Sequence, residues 1–165
     1  METLLVKKFL NPINLYKGLK GMEKFADVLK DLIDGTGMTV RQVSLDSGIS
    51  AVQLLRYLND GALPTIKVAV KIAEYFDCSL DYLFGLTDIN KRSKSGSYDH
   101  SKFIERYLKA LKDNNITHFK FCQFAGLSES TLRHWKYGEM PKIETLIMIV
   151  KMFSLSLDYL TGRDS

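Results

Sequence analysis

The sequence predicts an all-α protein made of two tandem five-helix units. Three observations carry this. Apolar residues recur at helical spacing in segments closed by glycine. No alternating apolar run bounded by hairpin turns occurs. The chain also repeats itself, which decides the architecture. Ser79-Leu80-Asp81-Tyr82-Leu83-Phe84-Gly85 returns as Ser156-Leu157-Asp158-Tyr159-Leu160-Thr161-Gly162, with six of seven residues identical at an offset of 77. Pro64-Thr65-Ile66 returns as Pro141-Lys142-Ile143 at the same offset. Thr39, Gly48, Ser50 and Leu54 match Thr117, Gly126, Ser128 and Leu132 at an offset of 78. Phe25, Leu29 and Leu32 match Ile104, Leu108 and Leu111 at an offset of 79. The first copy therefore carries one extra residue in each of two connections, and connections are where insertions are tolerated.

In the first copy, Phe25, Leu29, Leu32 and Ile33 form the apolar stripe of a first helix, which Gly35-Thr36-Gly37 ends. Thr39 caps a second helix, Val40 to Ser47. Gly48-Ile49 is a sharp turn, and Ser50 caps a third helix, Ala51 to Leu58. Gly61 and Pro64 separate it from a fourth, Thr65 to Phe76, with Pro64 near its first position. A short fifth helix, Leu80 to Phe84, is closed by Gly85. The second copy follows suit: Thr117 and Ser128 cap, Gly126 turns, Gly138 and Pro141 separate, and Gly162 closes. Residues 1–21 match neither copy and form an N-terminal extension broken by Pro12 and Gly18. The boundaries are then 22–89 for the first unit, 90–99 for a basic flexible linker, and 100–165 for the second unit.

The 165 residues carry a net charge of +4, unevenly spread. Residues 22–89 hold six cations and ten anions, net −4, whereas 100–165 hold ten and seven, net +3. Cys78 and Cys122 lie far apart without ligand spacing and read as small buried hydrophobes. The three histidines, His100, His118 and His134, have no metal spacing. No nucleophile–base pair, phosphate loop or cofactor motif can be placed, so the sequence points away from an enzyme and calls for no metal or cofactor. No apolar run spans a bilayer and no signal peptide opens the chain, which points to a cytoplasmic protein.

The pattern Thr-x8-Gly-[Ile/Leu]-Ser runs from Thr39 to Ser50 and again from Thr117 to Ser128. It is followed by Leu54 or Leu132 and then by Gly and Pro. Glycine suits the steep turn between two helices, the apolar residue after it (Ile49, Leu127) plugs the angle, and a small residue (Ser44, Cys122) admits the next helix. On these residues the chain resembles the phage-repressor-like helix-turn-helix family (XRE, Cro/repressor type; lambda-repressor-like fold). The second copy, with Thr117, Gly126-Leu127-Ser128, Leu132, Trp135, Gly138 and Pro141, resembles it more closely. The resemblance implies a double-stranded DNA-binding transcriptional regulator, repressor-like and of bacterial or phage type, with each third helix in the major groove.

Carried over by position, the second copy's candidate DNA contacts are His118, Ser128, Glu129, Ser130, Arg133, His134 and Lys136. Arg133 suits guanine and Ser130 either role. Glu129 either accepts from cytosine or complements the positive helix N-terminus. The first copy's weaker candidates are Ala51, Val52, Gln53, Leu55 and Arg56. Their apolar surface fits thymine methyl groups, or else a protein contact, which would be a second copy of the chain or another partner. Its negative charge makes the second copy the expected dominant DNA binder. The alternative reading is a protein-interaction module that keeps the fold with DNA binding lost in one or both copies. Trp135, Tyr82 and Tyr159 read as packing residues. Lys91-Arg92-x-Lys94 reads either as solvated linker or as an arm on the minor groove or phosphates.

Overall fold

The computed structural model describes residues 23–91 and 96–163. The N-terminal extension and the Arg92 and Lys94 part of the basic arm lie outside these residues. Among the described residues the fold is all-α, with ten helices in two runs of five. The first run is α1 (Glu23–Thr36), α2 (Val40–Ser47), α3 (Ala51–Asn59), α4 (Ile66–Tyr75) and α5 (Leu80–Leu83). The second is α6 (His100–Asp113), α7 (His118–Ala125), α8 (Thr131–Lys136), α9 (Ile143–Phe153) and α10 (Leu157–Leu160).

The backbone repeats as the sequence does. Its left-handed residues fall into five pairs: Gly37 with Asn115, Gly48 with Gly126, Gly61 with Gly138, Asp77 with Ser154, and Gly85 with Gly162. The offset is 78 for the first two pairs and 77 for the rest, so the first run's extra residue lies between Gly48 and Gly61. This corrects the expected offset of 79 in the first helix. The buried residues of α1 are Phe25, Leu29 and Ile33, and those of α6 include Phe103, Tyr107 and Leu111, again 78 apart. Ile104 is half-buried and Leu108 is 36% exposed. The sequence comparison paired Phe25 and Leu29 with the aliphatic Ile104 and Leu108, but it is the aromatic Phe103 and Tyr107 that fill the core positions.

The termini of the helices follow local chemistry, with three departures. Thr39 forms a capping box: its Oγ1 accepts from Gln42 N–H at 3.3 Å, and Gln42 Oε1 accepts from Thr39 N–H at 2.8 Å. Thr117 accepts from Lys120 N–H at 3.2 Å. Pro64, expected at the first position of the fourth helix, instead precedes the cap; Thr65 is the cap, and its Oγ1 accepts from Val68 N–H at 3.5 Å. Ser50 stands at the cap of α3 but makes no side-chain cap bond. In the second run, Glu129 and Ser130 form a turn and α8 begins only at Thr131. There Ser128 Oγ accepts from Ser130 N–H at 3.3 Å, so it holds the turn rather than capping the helix.

Gly48 (φ 66°) and Gly126 (φ 64°) make the left-handed turns expected of them. A side chain on Gly126 would meet nothing within 4 Å. Its cost is therefore conformational: Gly126→Val is expected to lose about 1–3 kcal/mol in chemical denaturation. Gly126→Asn should recover most of that loss, because asparagine tolerates this region.

The two runs meet along their closing helices. The Asp81 carboxylate accepts from Leu157 N–H at 2.9 and 3.0 Å and from Asp158 N–H at 3.5 Å. The Asp158 carboxylate returns the contact, accepting from Leu80 N–H at 2.8 Å and Asp81 N–H at 3.4 Å. Each four-residue helix is thus capped both by its own serine, Ser79 or Ser156, and by the other's aspartate. Arg163, 1% exposed, donates from Nη1 to Asp158 at 2.8 Å and from Nε to the Gly96 carbonyl at 2.9 Å. Both described ends of the 90–99 segment make hydrogen bonds to the closing-helix regions. Asn90 Oδ1 accepts from Ser79 N–H at 3.3 Å, and Asp99 N–H donates to the Thr161 carbonyl at 2.9 Å.

Candidate nucleic-acid interface

Helix α8 is set on an aromatic floor. Trp135 is its one buried residue, 3% exposed, and lies 5.3 Å from both Phe103 and Tyr107 between ring centroids. Its carbonyl receives the His100 ring at 2.5 Å, which ties the end of α8 to the start of α6. Tyr57 takes the same place in α3, 5.9 Å from Phe25. With Trp135 turned inward, Arg133, His134 and Lys136 stay exposed. Ser128 and Glu129 are exposed in the preceding turn, and Ser130 is half-buried. The structure therefore brings six of the seven second-run candidates onto one short stretch, residues 128–136. Leu132, expected to bury the inner face with Trp135, is only half-buried.

The seventh candidate, His118, lies beside this stretch, its ring 6.4 Å from Trp135 between centroids and within reach of Glu129. Its Nδ1 lies 2.8 Å from Tyr107 Oη and its Nε2 3.1 Å from Cys122 Sγ. Burial holds its pKa below the ordinary imidazole value, so the ring is neutral at pH 7. It serves as a strut between α6 and α7. Cys122 is buried as expected, yet it is more than a small hydrophobe, since its Sγ also sits 3.5 Å from the Ser128 carbonyl. Burial pushes both the Cys122 and the Cys78 thiols up, the latter to about 12. His134 lies 3.5 Å from Glu139, which draws it toward the C-terminal side of α8.

On α3, Val52 is 67% exposed and Leu55 46% exposed, with Gln53 and Arg56 beside them and Ala51 half-buried. Leu45 on α2 is also exposed, at 78%. Unit-wide charge is a poor guide to this face. Four of the ten anions, Glu23, Asp27, Asp31 and Asp34, lie along α1. Helix α3 has no acid and carries Arg56. Arg41 opens α2, and Asp46 at its other end accepts from Tyr75 Oη at 2.8 Å. Lys71 Nζ donates to the Gly48 carbonyl at 2.9 Å, beside the turn.

Two exposed aromatics bordering the second-run stretch were missed by sequence reasoning. Tyr137, 85% exposed, follows α8, and Phe119, 50% exposed, lies in the first turn of α7. Their signal was present: each falls off the apolar spacing that Trp135 and Phe121 occupy. Among the described residues no three His, Cys, Asp or Glu side chains are grouped to hold a metal ion. No helix among them is long and apolar enough to cross a membrane.

Comparison with known proteins agrees with this geometry. A helix-turn-helix family model matches residues 29–83, from within α1 to the end of α5. That span contains α2 and α3 with the Gly48 turn between them. The match falls on the first run, where sequence reading had placed the weaker resemblance. No curated protein and no solved structure matches the chain.

Proposed function

We propose that the chain is a cytoplasmic, sequence-specific double-stranded DNA-binding regulator, repressor-like, in which both runs are helix-turn-helix units and the second dominates. The observation that carries it is the exposed α8 stretch with Arg133 and Lys136; in this reading α8, the counterpart of α3, is the helix that enters the major groove. Arg133 offers a bidentate donor to guanine, and Lys136 neutralises phosphate. In this reading Ser130 and Glu129 approach base edges from the turn before α8, and Lys120 and Lys142 add positive field. The first unit contributes less, through Arg56 and through Val52 and Leu55 against thymine methyls.

Arg133→Ala is expected to weaken binding to the preferred duplex by about 1–3 kcal/mol and to relax selectivity at one base pair. Lys136→Ala should weaken all duplexes alike and lower the salt slope by about 1. Titration of labelled duplex at several salt concentrations measures both. An Arg133→Ala protein with unchanged selectivity removes Arg133 as a reader.

A second reading is favoured by one observation, the exposure of the apolar Val52 and Leu55 on α3. In that reading the first unit docks a protein and only the second reads DNA. The double substitution Val52→Ser, Leu55→Gln separates the two. Loss of affinity for duplexes rich in thymine supports base contact, and unchanged affinity supports the protein surface.

A further inference from the structure

The contacts between α5 and α10 are reciprocal. Asp81 meets the backbone of Leu157 and Asp158, and Asp158 meets the backbone of Leu80 and Asp81. The partners are counterparts 77 positions apart, so each residue's contact is returned by its equivalent. That is the signature of a two-fold relation, here between two halves of one chain. Both caps are charge-assisted, and Asp158 is braced by the buried Arg163. Leu86 stands at the position equivalent to Arg163 in the first run, so the brace exists on one side only.

A covalent tether alone would leave the two runs free to adopt many separations. From Ile89 to Ser101 an extended chain reaches roughly 40 Å. The reciprocal caps select one arrangement out of that range. Duplex DNA has local two-fold axes of its own, and two-fold proteins read half-sites about one helical turn, ~34 Å, apart.

We propose that Asp81 and Asp158, braced by Arg163, are positioning residues that fix the separation of α3 and α8, so that one chain reads two unequal half-sites at a single spacing. The proposal rests on the DNA-binding reading above. It adds that the unit of recognition is one chain, with the pairing surface that other proteins form between subunits satisfied internally.

The test begins with the full-length chain and duplexes selected from random sequence. Footprinting locates the two contacted stretches, and native mass spectrometry counts chains per duplex. Five base pairs, half a turn, are then inserted between the stretches. The wild-type chain is expected to bind as one copy per duplex and to lose on the order of 10²-fold in affinity on insertion, because the second contact loses its effective concentration. Asp81→Ala should bind the uninterrupted site more weakly and lose no more than about threefold on insertion, which leaves little of that avidity. Asp81→Asn keeps a carbonyl acceptor for the Leu157 and Asp158 N–H groups and should restore the dependence on spacing. A merely structural role for Asp81 would lower affinity for both duplexes equally.

Wild-type indifference to the insertion, two chains per duplex, or an Asp81→Ala protein as sensitive as the parent each overturns the proposal while leaving DNA binding itself standing. Failure to select any duplex instead overturns the broader reading, and the proposal with it. If Asp81→Ala does not fold, by circular dichroism, the wild-type insertion series and the stoichiometry decide the matter.

Discussion

Replacing Asp158 with alanine is expected to destabilise the protein by about 3–5 kcal/mol, since it removes the carboxylate that faces a buried cation. Arg163 is 1% exposed and Asp158 7% exposed, so water replaces little of what is lost. Burial pushes the Asp158 carboxyl up to about 6, with Arg163 pulling it down and the neighbouring Asp81 carboxylate adding to the rise. The same substitution strips a charged acceptor from the Leu80 N–H, 2.8 Å away. The added substitution Arg163→Met should return part of the loss, because the buried charge disappears while the volume stays filled. Urea unfolding followed by circular dichroism measures both proteins. A double variant no more stable than the single would mean that Arg163 finds another partner, and the brace would then not depend on Asp158.

Trp135→Ala is the other large effect, about 3–5 kcal/mol for an aromatic core truncation. Trp135 touches the rings of Phe103, Tyr107 and His118 and is the one buried residue of α8. A six-residue helix has no stability of its own, so its attachment is this side chain. DNA affinity should fall together with stability, whereas Arg133→Ala should lower affinity and leave unfolding unchanged. Trp135→Phe should keep most of both. Trp135 is the only tryptophan in the chain, so fluorescence follows the parent and circular dichroism the variants. An Ala variant of parental stability would contradict the packing described.

Much of the fold was legible because its signals are local. Thr39 and Thr117 announce helix starts through side-chain oxygens that accept backbone N–H groups a few residues on. Gly48 and Gly126 announce turns through a conformation that other residues avoid. The recurrence of Ser-Leu-Asp-Tyr-Leu gave the closing helices directly. What those segments do to one another was not legible. Asp81 and Asp158 read only as part of the repeated closing segment, and nothing in the sequence says that each caps the other's helix, 76–78 positions away. The register of α6 was misread because hydrophobicity does not separate Ile104 from Phe103; only the ring packing on Trp135 does.

The site was partly legible for the same reason. Arg133 and Lys136 project outward because Trp135 is held inward, and that spacing can be counted. His118 could not be placed, since its partners Tyr107 and Cys122 come from two helices. Net charge over a whole unit does not say where the charges sit: four of the first unit's ten acids lie on α1, whereas α3 carries Arg56 and no acid.

The most direct measurement is selection of bound duplexes from random sequence by the full-length chain, followed by titration of the enriched duplex across salt concentrations. The proposed function predicts enrichment of a defined sequence and a log affinity falling linearly with log salt, with Arg133→Ala losing the preference at one position. No enrichment, together with no binding at low salt, would contradict it.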